Sequence, residues 1–185
     1  MLANRLKITI GWLAVASGVS LFSGAAWSSC AAGTPDPTLV VTTPTADFEL
    51  HDDGTATHIP TGLMWKRCAE GQSWNAVSER CDGEADSFTW QQALQHADAS
   101  PGFAGHNDWR VPNIRALMSI VERCASNTGS TPSINAEVFP DTGTGRFWSA
   151  SPSHHDPMRA LAGSGFSENY NKTDEYRLRL VRTAD

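Results

Sequence analysis

Positive charge is scarce in this chain. Of 185 residues, 14 are Lys or Arg and 20 are Asp or Glu, a formal net charge of -6. An acidic surface repels phosphate backbones and anionic lipid, so nucleic acid and membrane surfaces are poor partners. Cysteines number only four. None forms a C-x-x-C pair or stands with histidine at ligand spacing, which removes structural zinc. No Gly-x-Ser-x-Gly elbow occurs, since Ser164 has Ala162 two residues before it. There is no phosphate loop, no H-E-x-x-H helix and no EF-hand spacing. No internal repeat is visible. Nothing here implies a cofactor, a metal or a catalytic centre, so an enzyme is the weaker reading. Disorder is excluded from the other side. A hydrophobic share of 40% with seven Trp is enough for a core. The length suits one globular domain, not two.

What is present begins with an export signal. Arg5 and Lys7 precede an uncharged apolar run over residues 8–22, and Gly24, Ala25 and Ala26 follow. This is the layout of a secretory signal peptide over residues 1–26, cleaved after Ala26. The run holds about 15 residues, short of the ~20 that a spanning helix requires, so no membrane insertion is expected after cleavage. A lipoprotein signal fits less well. Trp27 stands three residues before Cys30, where a branched aliphatic residue belongs. Arg5 and Lys7 leave with the signal and no acid does. The mature chain then carries 12 basic and 20 acidic residues, a net of -8. A secreted or periplasmic address follows.

An even cysteine count in an exported chain points to disulfides, because exported compartments are oxidising. Cys30, Cys68, Cys81 and Cys124 allow three pairings. We favour Cys68–Cys81. The loop between them holds Gly71, Ser73 and Asn75 and few apolar residues. Closing it covalently would contribute on the order of 3 kcal/mol. Cys30–Cys124 would then tie an N-terminal arm to a helix end, and such arms fray unless tied down.

Residues 27–46 read as that arm, since residues 31–46 alone hold three Pro and five Thr. Phe48 and Leu50 alternate with polar residues, and Asp53-Gly54 turns the chain into a second strand over residues 55–58. Pro60-Thr61-Gly62 leads to a third at Leu63-Met64-Trp65. A first helix starts at Thr89. Thr89 and Gln92 form a capping box, and Trp90, Ala93, Leu94 and Ala97 fall on one face. Asn113 caps a second helix with Ile114, Leu117, Met118 and Val121 in its stripe, stopped by Asn127 and Gly129. Phe147-Trp148 reads as buried strand, with weaker strands at 158–162 and 166–169. Tyr176, Leu178 and Leu180 alternate with Arg177 and Arg179, a strand with one wet face. Strands, two helices, then strands make an α+β fold with mostly antiparallel pairing.

Four segments stand out together: Asp53-Gly54-Thr55 with Thr61-Gly62-Leu63-Met64-Trp65; Thr89-Trp90-Gln91-Gln92-Ala93-Leu94; Asp108-Trp109-Arg110-Val111-Pro112-Asn113; and Phe147-Trp148-Ser149-Ala150-Ser151. With Leu180-Val181-Arg182 they resemble the DUF1566 family, the C-terminal domain (Lcl C-terminal domain) of a Legionella collagen-like protein. The resemblance covers roughly residues 47–182, so we assign residues 47–185 to that domain. It implies an exported bacterial protein with a C-type-lectin-like fold: two helices, short antiparallel strands and a long irregular loop region. It also implies adhesin-like carbohydrate binding, since one relative binds sulfated polysaccharide as a trimer. A homo-oligomer is therefore left open. Four-cysteine members place their cysteines as Cys30, Cys68, Cys81 and Cys124 stand here. The departures matter. Around its Asn-Gly turns the C-terminal half of the family is rich in Tyr and Trp; that region here has only Tyr170 and Tyr176, and Pro152-Ser153-His154-His155 replaces an expected aromatic. Sulfate also needs clustered Lys and Arg, which an acidic chain lacks.

Most aromatic and charged candidates have a structural explanation. Trp65, Trp90, Trp109 and Trp148 are expected in the core, which aromatic residues commonly dominate. Trp74, inside the cysteine loop, is either a local mini-core or an exposed contact. Asp108 and Arg110 flank Trp109 and are expected to brace the loop by an ion pair or hydrogen bonds. Asp47, Glu49, Asp52 and Asp53 cluster without calcium-site spacing. His154, His155 and Asp156 read as a solvated loop, because neighbouring histidines point apart. The residues left for ligand binding are Trp74, His154, His155, Tyr170 and Asn171, with the contact surface in the loops of residues 127–175.

The leading expectation is an exported, non-catalytic module that recognises a glycan or a protein at the bacterial cell surface. A structural subunit of an envelope assembly is the first alternative. An enzyme on a scaffold like that of the formylglycine-generating oxidases is the second, and it would need a reactive cysteine pair. A thiol titration of the exported protein, with mass measurement, separates these. We expect zero free thiols and a chain beginning at Trp27; two free thiols would favour the enzyme.

Overall fold

In the computed structural model, which describes residues 41–123, 133–156, 158–163 and 167–185, the elements follow the local signals closely at the start of the domain. The expected signal peptide, the arm up to residue 40, the Cys30–Cys124 pairing, the stops at Asn127 and Gly129, and Ser164 and Phe166 lie outside the described residues. The strands are β1 (Phe48–Leu50), β2 (Thr55–His58), β3 (Leu63–Lys66), β4 (Ser73–Asn75) and β5 (Arg80–Asp82). Helices α1 (Trp90–Asp98) and α2 (Ile114–Met118) come next, followed by β6 (Phe147–Pro152), β7 (Arg159–Gly163), β8 (Ser167–Asn171) and β9 (Val181–Thr183).

The Asp-Gly turn does what its residues dictate. Gly54 sits at φ 86, a left-handed conformation that disfavours any side chain, and a Cβ there would lie 2.5 Å from Trp74 Cγ. Asp53 Oδ1 accepts from the Thr55 amide at 3.0 Å and its hydroxyl at 2.7 Å. β1 and β2 then pair antiparallel, and β3 and β9 extend the sheet in the order β1-β2-β3-β9. β4 and β5 form a small hairpin inside the loop closed by Cys68–Cys81, whose Cα atoms are 5.5 Å apart. That loop is more regular than its composition promised. β6, β7 and β8 make a second antiparallel sheet. Much of the region expected to be irregular is therefore hydrogen-bonded hairpin. The fold is α+β with antiparallel sheets.

The caps hold. Thr89 and Gln92 exchange both bonds of a capping box at the start of α1, and Asn113 Oδ1 accepts from the Ala116 amide at 2.8 Å. α2 is shorter than its stripe suggested and ends at Met118. The Ser119 amide and hydroxyl both turn onto the Ala116 carbonyl. Val121 leaves the helix to pair with Ile134 instead. The apolar period continued there because an extended segment also needs a buried side chain.

Two cores form on either side of the segment running from Leu178 to Val181. One gathers Phe48, Trp65, Ile120, Val138, Phe139 and Val181. The other gathers Trp109, Val111, Trp148, Leu178 and Leu180 with Ala93 and Ala97 of α1. The strand expected over residues 176–180 is regular only at Val181–Thr183, and its expected wet face is covered at Arg179. Arg179 is 1% exposed, because the chain is covered on both sides. Its Nη1 donates to the carbonyls of Lys66 and Arg67, and Nη2 donates to Thr142 Oγ1 at 2.7 Å. The guanidinium also stacks over Phe139 and Phe147, at 4.8 and 5.5 Å from the ring centres. Burial pushes it down to about 9, opposed by the field of Glu70, so it stays charged at neutral pH. A second buried arginine, Arg67, donates to the carbonyls of Val138 and Glu137 at 2.9 and 3.0 Å.

The last stretch of the arm is also tied by a buried charge. Glu122 accepts from the Thr42 amide at 3.0 Å, the Thr43 amide at 2.8 Å and the Thr43 hydroxyl at 2.9 Å.

Removing Arg179 strands one buried and one half-buried carbonyl, and a buried one left without a donor costs about 1–3 kcal/mol. Arg179→Met is therefore expected to lower stability by about 3 kcal/mol in urea unfolding, although the volume is nearly kept. No change in the midpoint would contradict the role given to this side chain.

Candidate functional site

Where β3 leaves the sheet, the chain follows the 178–182 segment for one more turn of backbone pairing. The Lys66 amide donates to the Leu180 carbonyl at 3.2 Å and the Glu70 amide to the Leu178 carbonyl at 2.9 Å. This brings the two side chains together. Lys66 Nζ lies 3.0 Å from Glu70 Oε1, and both side chains are close to buried, at 12% and 10% exposure. Glu70 Oε2 is 2.7 Å from Nε2 of His96, presented by the last turn of α1. A carboxylate so nearly buried requires such partners.

Lys66 and Glu70 form the floor of a surface groove. Its walls come from chain segments far apart in sequence: Asp53 in the first turn, Ser73 and Trp74 on β4, and Phe103 after α1. Phe103 is held by a two-way backbone pair with His106, at 2.9 and 3.0 Å, and its carbonyl accepts from Trp109 Nε1 at 3.0 Å. Lys66 Nζ sits 4.9 Å from the Phe103 ring centre. Trp74 is pinned by its Nε1, which donates to the Asp52 carbonyl at 2.8 Å, and by the Arg67 guanidinium 4.2 Å from its ring. Cys68 also lines the groove, so the disulfide braces one wall. Two aromatic rings, an ion pair, a hydroxyl and a free carboxylate oxygen thus converge on one concave surface. That is the composition of a small-ligand site.

The structure disperses the other candidates from the sequence. His154 and His155 are exposed between β6 and β7. His154 lines a separate groove with Asn113, Arg115, Ser151 and Leu161. Tyr170 on β8 packs edge-on to Tyr176, and its hydroxyl bonds Glu168 and the Arg146 guanidinium. Burial raises the Tyr170 hydroxyl above its ordinary value, helped by Glu168 and opposed by Arg146. Asn171 is exposed, its amide donating to Asp174 at 3.1 Å. Of the five, Trp74 alone lines the groove described above.

Lys66, Glu70, His96 and Phe103 are not among the residues the sequence singles out. The available signal was the Lys66 and Glu70 pair straddling Cys68, beside a turn that must fold back under the disulfide.

The motif tryptophans are structural anchors. Trp65 and Trp148 are fully buried and Trp109 is 4% exposed. Trp148 Nε1 donates to the Phe88 carbonyl at 2.7 Å and Trp90 Nε1 to the Ser149 carbonyl at 2.9 Å. Asp108 does not pair with Arg110. It accepts from Arg182 Nε at 2.7 Å, which holds its carboxyl below the usual range. Arg110 contributes its backbone, in a two-way pair with Val181 at 2.9 and 3.0 Å. The closing Leu180-Val181-Arg182 string is thus what the D-W-R-V-P-N string grips. Residues 54–182 match the Lcl C-terminal domain family. The chain belongs to that family. No curated protein matches the sequence. In this Lcl domain the recurrent motifs lie mostly in the scaffold, and the groove is built from the less regular residues between them.

Proposed function

We propose that this Lcl domain is an exported, non-catalytic binding module that recognises a glycan or a protein at the bacterial cell surface. The observation that carries the reading is the groove between Trp74 and Phe103, with Lys66 and Glu70 in its floor. Aromatic side chains give apolar area at little entropic penalty, and polar groups between them orient a ligand. The site sits on turns and strand ends fixed by a disulfide and by the main sheet, so little ordering is required on binding.

Export through a signal peptide over residues 1–26 is part of the same proposal. The Cys68–Cys81 disulfide fits an oxidising compartment, and among the described residues no helix is long and apolar enough to cross a membrane. The C-type-lectin-like reading of the fold draws support from two helices set beside antiparallel strands.

The test is binding of the oxidised protein to a glycan array and to envelope extracts, beside the Phe103→Ala variant. Wild type should retain a ligand, and the variant should lose affinity by about tenfold or more, equivalent to ~1.4 kcal/mol, with its circular dichroism unchanged. Equal binding by the two proteins would remove the groove from the account.

A further inference from the structure

We infer that the groove takes an uncharged, polyhydroxylated sugar chain, and that Glu70 is the residue that keeps sulfated or otherwise anionic sugars out. The inference rests on the binding role proposed above and specifies its ligand.

The charges on the page set the choice. The charged residues lining the groove are Asp53, Lys66 and Glu70, two anions against one cation. The single cation is already engaged, since Lys66 Nζ is 3.0 Å from Glu70 Oε1. An arriving sulfate would have to compete with a fixed carboxylate for that ammonium while facing two like charges. Anion recognition needs a surplus of positive charge, and the charged residues lining this groove carry a net negative one. A hydroxyl meets no such barrier, because it both donates and accepts. Lys66 has further N–H groups beyond the one used by Glu70. Asp53 is exposed and uses Oδ1 on Thr55, which leaves Oδ2 to accept a sugar hydroxyl. Ser73 is exposed and supplies a hydroxyl on the same wall. The rings of Trp74 and Phe103 offer apolar surface to the C–H face of a sugar.

Glu70 is suited to this filter by its position. Its backbone is fixed by the Leu178 carbonyl and by the Asp86 amide, which donates to the Glu70 carbonyl at 2.9 Å. His96 holds the other carboxylate oxygen at 2.7 Å. The carboxylate cannot swing away to release Lys66 to an anion. The Gln side chain has the same shape and keeps one acceptor, so Glu70→Gln removes the charge while leaving the packing.

The experiment compares wild type, Glu70→Gln and the Glu70→Gln/Lys66→Gln double variant, each checked for native circular dichroism. The probes are N-acetylglucosamine oligosaccharides and mannan as neutral chains, and heparin as the sulfated one. Wild type should bind a neutral probe and ignore heparin. Glu70→Gln should gain heparin binding by about tenfold or more, and the double variant should lose that gain. Should Glu70→Gln fail to fold, wild type alone decides by salt dependence: affinity for the neutral probe should stay flat between low and high salt. Wild-type preference for heparin, still abolished by Phe103→Ala, would overturn the neutral-sugar inference and leave the groove as a binding site. A folded Glu70→Gln with no gain, or a steep salt dependence, would overturn it too. Binding of no probe by any variant, together with no ligand from envelope extracts, would remove the binding role itself and this inference with it.

Discussion

A buried guanidinium fastens the C-terminal segment of this domain to the end of β3. Arg179 is almost wholly enclosed, yet it faces no carboxylate at ion-pair distance among the described residues. Its charge is met by the carbonyls of Lys66 and Arg67, by Thr142, and by the faces of Phe139 and Phe147. Burying an unpaired cation is expensive, so this arrangement persists only because every donor direction it uses has a partner. The consequence is geometric. The end of β3 is fastened to the C-terminal segment at the point where the backbone stops being a regular strand.

The groove inherits its shape from that fastening. Lys66 gives its carbonyl to Arg179 and its side chain to the groove floor. Glu70 is anchored four residues later on the same segment, and the Cys68–Cys81 bridge closes the turn between them. Arg67, also buried, spans from the neighbouring loop to the Trp74 ring. Scaffold and site are therefore joined through three consecutive positions, with the recurrent tryptophans filling the cores behind them.

The parts legible in the sequence were those decided by neighbours in the chain. Asp53-Gly54 specifies its turn through a left-handed glycine and a side-chain cap, and Thr89 with Gln92 closes a box across one helical turn. The parts that were not legible depend on what covers a residue from outside. Alternation along Tyr176 to Leu180 correctly placed the leucines inward, but could not reveal that a second layer buries Arg179 as well. The stripe through Val121 looked like continuing helix, because a bridge to Ile134 demands the same buried residue. The groove was hidden for a related reason. Its residues come from positions 53, 66–74 and 103, and His96 of α1 holds one of them, Glu70. No local pattern joins them. Of the candidates drawn from the aromatic and histidine content of the C-terminal half, His154 lines a groove of its own, and Tyr170 is committed to Arg146, Glu168 and Tyr176.

The claim on which the functional account stands is the location of the ligand. Amide NMR of the isotopically labelled, oxidised domain, titrated with a neutral N-acetylglucosamine oligosaccharide, addresses it directly. The account predicts saturable shifts clustered at Lys66, Glu70, Ser73, Trp74 and Phe103, including the Trp74 indole, with His154, His155, Tyr170 and Asn171 unmoved. Shifts gathered at those last four residues, with the groove silent, would contradict it.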